Sequence, residues 1–404
     1  MKTEDPIMKF SPRVDQIAGE GAAAWNIHEQ ALNAQARGED IIALSVGDPD
    51  LATPRPIVER AHEALAAGDT HYTDGIGEHA LRVAVARHFT NRSGLAVGPG
   101  NVCVTSGAQN ALFFASMLLL GPGDEAIMLC PGYVTYEATI GASGAKPVAV
   151  DLRAEDDFRP DPDAIRAAIT PRTRALFITT PNNPTGVVLT REELAAIAEI
   201  AREHDLWVVS DEVYSEIVFD GEHTSIAALP GMVERTVTVS SLSKSHAMTG
   251  WRSGWLIGPE ALIAHAANLG LCALYGLPGF IQKAAIVALE QVDAITGEFR
   301  EIYRRRRDLV VETLGRVPAV DVQCPQAGMF AMVDVRGTGL DSGDFGWRLL
   351  EEQGVSVLDG NAFGPSAAGH IRLSYTLDDA RLAEACRRIE ALCASLRNAR
   401  VSTG

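Results

Sequence analysis

Short, uninterrupted apolar runs alternate with longer amphipathic stretches through most of the chain. The runs Asn101–Thr105, Glu125–Cys130, Lys146–Asp151, Thr173–Thr179, Leu206–Ser210, Thr236–Ser240 and Trp255–Ile257 predict strands. Helical spacing predicts helices over Ile57–Ala67, Gly107–Leu120 and Arg191–His204, with an earlier amphipathic helix over 14–38 that ends near Gly38. A short strand, Ile41–Val46, breaks at the turn-forming cluster Gly47-Asp48-Pro49-Asp50. Strands that are apolar throughout and separated by helices belong to a mostly parallel sheet covered on both faces. Such sheets bind ligands at the carboxyl ends of their strands.

After about residue 290 the pattern changes. A long charged helix, Glu298–Leu314, leads to strands near Met329–Val335, Val355–Leu358 and His370–Tyr375, and a last helix covers Asp378–Arg397. The expected fold is therefore α/β, with a mostly parallel large domain over 51–290 and a smaller α+β domain over 291–404. The N-terminal segment, 1–50, is expected to join the small domain. At 404 residues the chain exceeds the size at which one core keeps growing, which agrees with two domains.

Composition narrows the partners. The net charge of −17 repels phosphodiester backbones and anionic membrane surfaces, so no nucleic acid and no membrane is expected. No stretch approaches the roughly 20 apolar residues of a membrane span. The opening Met1-Lys-Thr-Glu-Asp-Pro lacks the apolar centre of a secretory signal. Six scattered cysteines without a CxxC pair read as buried thiols in a reducing cytoplasm. No histidine pair has HExxH spacing, so no metal is indicated. The run Arg304–Arg307 follows Glu298 and Glu301 at helical spacing and reads as a solvated, ion-paired face.

The chemistry begins at Lys244, one of only five lysines among 35 basic residues. It stands in Ser241-Leu242-Ser243-Lys244, after the apolar run from Thr236 to Val239, with Arg252 eight residues on. A chain that uses arginine almost everywhere else has kept an amine here. Arginine stays protonated and forms no Schiff base, whereas a desolvated lysine does. The hydroxyls and the arginine around it suit a phosphate. A lysine at a strand end facing water is the alternative.

Three further strand ends carry polar groups. Ser106-Gly107-Ala108 closes a strand and opens a helix, where backbone N–H groups cradle phosphates. Pro181-Asn182-Asn183-Pro184-Thr185-Gly186 is a tight turn whose prolines and glycine are explained by geometry, but whose two asparagines are not. In Ser210-Asp211-Glu212-Val213-Tyr214 a carboxylate ends a buried strand, a costly place unless it meets positive charge.

In this order and spacing, Asn183, Asp211, Tyr214, Lys244, Arg252 and Arg372 resemble the aspartate-aminotransferase-like family of fold type I pyridoxal-phosphate enzymes, from Gly47 to Arg372. The resemblance implies that Lys244 holds pyridoxal 5′-phosphate and then moves the substrate's Cα proton. Asp211 pairs with the ring nitrogen, so that the ring accepts the electrons left at Cα. Tyr214 and Asn183 hydrogen-bond the phenolic oxygen, and Tyr133 stacks on the ring, unless it is a core aromatic. Tyr136 supports Asp211 from behind. Ser106, Gly107, Ala108, Ser241, Ser243 and Arg252 hold the phosphate, joined by Tyr72 from the neighbouring subunit of a homodimer with shared active sites. Gly47, Asn183 and Arg372 receive the substrate, Arg372 clamping its α-carboxylate, with an exposed strand arginine as the alternative.

By the same resemblance the activity is transfer of an amino group from an L-α-amino acid to a 2-oxo acid. Leu44–Asp50, Ser240–Arg252 and Ala362–Arg372 resemble members that use arginine and pyruvate, which makes arginine the leading donor. Aspartate, aromatic or broad specificity is the alternative, although no second arginine for an acidic side chain stands out in Leu269–Phe280. A β-lyase on the same fold would share every cofactor residue. A transcription regulator would need a DNA-binding domain ahead of a fold that this chain enters by about residue 40. The stretch Gly75–Ala80 fits a dinucleotide fingerprint but follows no buried strand. Ser241–Lys244 fits the S-x-x-K of serine acyl-enzymes but lacks its companion motifs.

Overall fold

The computed structural model describes residues 25–403, together with Phe10, Ser11, Val14 and Ile17. Its largest sheet is built from β2 (Val102–Ser106), β3 (Glu125–Cys130), β4 (Lys146–Asp151), β5 (Thr173–Thr179), β6 (Trp207–Asp211), β7 (Thr236–Ser241) and β8 (Ser253–Ile257), following a short β1 (Ile42–Ala43). The order across the sheet is β2-β8-β7-β6-β5-β3-β4. β8 runs antiparallel to both neighbours and all other pairs are parallel.

The uninterrupted apolar character of the inner strands follows from two buried faces, whereas β4, at the edge of the sheet, is largely exposed. On one, Phe177, Val209, Val237 and Val239 pack with Leu112 and Phe114 of the helix Gly107–Leu119. On the other, Leu176, Ile178 and Val208 pack with Leu194 and Ile197 of the helix Arg191–Glu203. That helix starts at a reciprocal cap, in which the Thr190 hydroxyl accepts from Glu193 N and the Glu193 carboxylate accepts from Thr190 N.

A second, antiparallel sheet comprises β9 (Asp321–Val322), β10 (Phe330–Asp334), β12 (Leu358–Asp359) and β13 (His370–Ser374), in the order β12-β13-β10-β9. Beside it, β1 pairs in parallel with β11 (Val355–Ser356). The expected strand Ile41–Val46 thus contributes only two residues to a ladder. Its next carbonyls turn to side chains: Ser45 O accepts from Arg372 at 2.7 Å and Val46 O from Ser374 at 2.7 Å.

Of the expected helix over 14–38, Trp25–Ala36 is helical, and most of 14–24 lies outside the described residues. The charged helix begins at Val292 and ends at Leu314, and it corrects one expectation. Arg304 and Arg305 are exposed, but Arg306 and Arg307 are buried. Arg306 forks onto Asp50 at 2.7 and 2.8 Å and reaches Asp379 at 3.2 Å, while Arg307 bonds Asp220 and the Pro325 carbonyl. The run is therefore half solvated and half a clasp between distant segments. Cys103, Cys130, Cys386 and Cys393 are buried as expected, whereas Cys272 and Cys324 are exposed.

Candidate active site

The carboxyl ends of β5, β6 and β7 open into a cavity of about 260 Å³. Its lining includes Gly47, Ala108, Tyr133, Asn183, Asp211, Tyr214, Ser241, Ser243, Lys244, Arg252 and Arg372, all anticipated from sequence. Lys244 lies three residues past the end of β7, and its Nζ donates to the Gly47 carbonyl at 2.6 Å. Burial lowers its pKa to about 8, helped by the positive charges of Arg372 and Arg252 and opposed by Asp48. An amine so placed reaches its neutral, nucleophilic form near neutrality.

Asp211 ends β6 with a 4% exposed side chain. Its Oδ2 accepts from the Tyr136 hydroxyl at 2.9 Å and its Oδ1 from Val213 N at 3.2 Å. Burial pushes its carboxyl up to about 6, against the pull of those donors. A carboxylate raised by desolvation is stabilised by a cationic partner in the cavity. Tyr136 itself is buried beside Thr179, and its ring meets Tyr133 edge-on at 5.7 Å. Tyr214 is buried too, with its proton held more firmly than in a free phenol because burial opposes the phenolate.

The turn from β2 into the helix Gly107–Leu119 requires its glycine. Gly107 has φ of +79°, and a Cβ there would lie 2.5 Å from Arg252 Nη2. Arg252 is itself left-handed, with φ of +55°, and its guanidinium donates to Ser106 O at 3.2 Å and Thr249 O at 2.7 Å. Ser243 N donates to Ser241 Oγ at 3.3 Å, which folds the segment before Lys244 toward the same turn. These groups converge as a cradle for an anion.

Arg372 comes from β13 and is buried, its pKa lowered to about 10 by burial. Its Nη1 donates to Asn183 Oδ1 at 3.1 Å and its Nη2 to Ser45 O, while its buried Nε has no partner. Phe330 and Phe363 flank the guanidinium at 4.2 and 4.9 Å. Gly47 is required opposite: a Cβ would sit 2.2 Å from the Phe330 ring. Tyr72 does not line the cavity. It is 86% exposed, with its ring 4.8 Å from that of Tyr275.

Sequence reasoning missed Trp25, Gln109, Thr179, Thr249 and Phe330 in the lining. Phe330 follows Gly328-Met329 in a predicted strand, but nothing in its neighbours marks it as facing a ligand.

An amine with weakened hold on its proton, a raised carboxyl and an anion cradle meet in one cavity. Pyridoxal phosphate, with its aldehyde, basic ring and phosphate, uses all three, and the residues present fit it. The class so defined is the fold type I aminotransferases, which depend on this cofactor.

Residues 39–389 match the family described as aminotransferase class I and II, and the chain belongs to it. It is 55% identical over 388 residues to the arginine–pyruvate transaminase of Pseudomonas aeruginosa, covering 96% of this chain and 98% of that protein. It is 40% identical over 372 residues to the aspartate/prephenate aminotransferase of Thermus thermophilus, covering 91% and 94%. The aspartate aminotransferase of Thermus thermophilus with maleate has a TM-score of 0.91 and 38% identity, covering 96% of this chain and 100% of that one. The protein is a pyridoxal-phosphate-dependent aminotransferase acting on amino and 2-oxo acids.

Proposed function

We propose that the amino donor is L-arginine and the acceptor pyruvate. The observation that carries this reading is the 55% identity, along nearly the whole of both chains, to the arginine–pyruvate transaminase. The cavity supports it by exclusion. Its lining cations are Lys244, Arg252 and Arg372, each with a task toward the cofactor or the α-carboxylate, so an acidic side chain finds no further positive group among the described lining residues.

The proposed roles start with binding. The amides of Gly107 and Ala108 with Ser106, Ser241, Ser243 and Arg252 hold the phosphate, and Tyr133 covers the ring. Bound there, the cofactor supplies an electron sink for the pair left when the Cα–H bond breaks. Asp211 keeps a proton on the ring nitrogen, a task its raised carboxyl suits. Tyr214 and Asn183 donate to the phenolic oxygen. Arg372 forks onto the substrate carboxylate with Asn183 and Gly47 alongside, and so aims the Cα–H bond at Lys244. The Lys244 amine takes the Cα proton and returns it across the site.

We also propose that the chain divides into a large domain over 51–290 and a small one over 291–404, with 1–50 attached to the latter. Two copies are proposed to share active sites through Tyr72, whose exposure leaves it free to reach a partner. Four buried, unpaired thiols support a cytoplasmic location.

Single-turnover spectra of the purified holoenzyme with a panel of amino acids test the donor. Arginine should convert the cofactor to its amine form fastest, with pyruvate restoring it. A donor preferred at least tenfold over arginine overturns the reading.

A further inference from the structure

Glu212 follows Asp211 in the chain but faces the other side of the sheet. Alternation along β6 places Val209 and Asp211 toward the core containing Tyr136, and Val208 toward the core containing Leu194. Glu212 thus turns away from the cofactor cavity into a small cleft of about 30 Å³, bounded by His88, Arg92, His223, Ser225, Thr238, Ser240 and Trp255. It is 4% exposed, rare for a glutamate. Three donors converge on its carboxylate: Ser225 Oγ at 2.7 Å, Ser210 Oγ at 2.9 Å and His223 Nε2 at 3.0 Å.

The main chain at Glu212 is gripped as well. Its N–H donates to Val239 O at 2.9 Å, extending the β6–β7 ladder past Asp211, and its carbonyl accepts from Ser215 N at 3.0 Å. The nearby cations are otherwise engaged: Arg92 pairs with Glu216 and Asp293, and His88 stands 3.4 Å from Glu216. Among the described residues, His223 is the one basic side chain at ion-pair distance from Glu212.

We propose that Glu212 is a positioning residue for Asp211, holding the end of β6 by its clamped carboxylate and adding a second negative charge behind the cofactor ring. The two carboxylates are sequence neighbours on opposite faces, so the charge of Glu212 raises the proton affinity of everything at Asp211. Its repulsion contributes to the raised carboxyl of Asp211. That effect is a cost to Asp211 alone and a gain once a protonated ring nitrogen lies against it. The inference rests on the proposed pairing of that nitrogen with Asp211.

The test is a pH titration of the visible absorbance of the holoenzyme, with steady-state kinetics on the same samples. Glu212→Gln keeps the shape and an acceptor oxygen but removes the charge. The spectral midpoint should fall by about half a unit or more, and kcat should drop about tenfold with KM within twofold, since no substrate contact is touched. An unchanged midpoint and kcat, with only a lower melting temperature, would show Glu212 to be purely structural and overturn the proposal. Should Glu212→Gln not fold, Ser225→Ala removes one of the three donors that hold the carboxylate in place, and should lower kcat with KM within twofold. An unchanged kcat there overturns the proposal equally. Asp211→Asn separates the two readings: if it too leaves the midpoint unmoved, the pairing of Asp211 with the ring has failed; if it alone moves the midpoint, only the role of Glu212 has.

Discussion

The amine of Lys244 meets a carbonyl, that of Gly47, where a carboxylate would have held its proton. With its pKa lowered to about 8, the fraction of neutral amine rises as pH rises through that value. Cofactor loading onto the apoprotein, followed by stopped-flow absorbance, should therefore speed up about tenfold per pH unit below about 8 and level off above it. Lys244→Ala should abolish the borohydride-reducible adduct while phosphate contacts still retain some cofactor. Asp211→Ala should leave the fold intact and slow Cα–H exchange by orders of magnitude, and a rate within tenfold of wild type would sink its role. These side chains were legible because each stands at a strand end in a motif of unusual residue types. The aromatic flanks of Arg372 were not, because Phe330 and Phe363 arrive from β10 and from the loop before β13, and no local pattern records such a meeting.

At the scale of elements, the buried strands were legible within a residue or two, since a run apolar on both faces admits few other readings. The six-residue strand at Ile41–Val46 was overpredicted. Its apolar alternation is real, but the carbonyls of Ser45, Val46 and Gly47 serve Arg372, Ser374 and Lys244 instead of a neighbouring strand. The helices His79–Ser93 and Gly279–Glu290 start at Glu78 and Pro278 without a side-chain capping bond, so no capping signal announces them. The helix Arg191–Glu203 shows the opposite case, with Thr190 and Glu193 capping each other. Thr190→Ala should lower stability by about 1 kcal/mol in urea titration, without changing the spectrum of the bound cofactor. Gly107→Ala should lower the melting temperature, because φ of +79° strains any side chain there, and should weaken cofactor retention as well. Its Cβ would press on the Arg252 guanidinium at the cradle.

Across the whole molecule, Arg306 ties three regions together: the loop at Asp50, its own helix, and Asp379 at the start of the last helix. Arg306→Met should cost about 3 kcal/mol in denaturant unfolding, because Asp50 loses its bidentate partner in a partly buried place. It should also raise KM, since Gly47 lies three residues away. Assembly is tested by hybrids of Tyr72→Phe and Lys244→Ala subunits. If the two residues come from different chains, one site of the hybrid is intact, and half the wild-type activity returns with wild-type cofactor affinity. If every lysine-bearing site instead shows the affinity of the Tyr72→Phe parent, weaker by about 1 kcal/mol, the shared site is abandoned. The placement of Arg372 on β13 also orders events during synthesis. When Ile257 has left the ribosome, every strand of the seven-stranded sheet has been made, and with it Asn183, Asp211, Lys244 and Arg252. Arg372 comes more than a hundred residues later, after the long helix and four further strands. A chain caught partway through translation therefore carries the groups assigned to the cofactor and lacks the guanidinium assigned to the substrate's α-carboxylate.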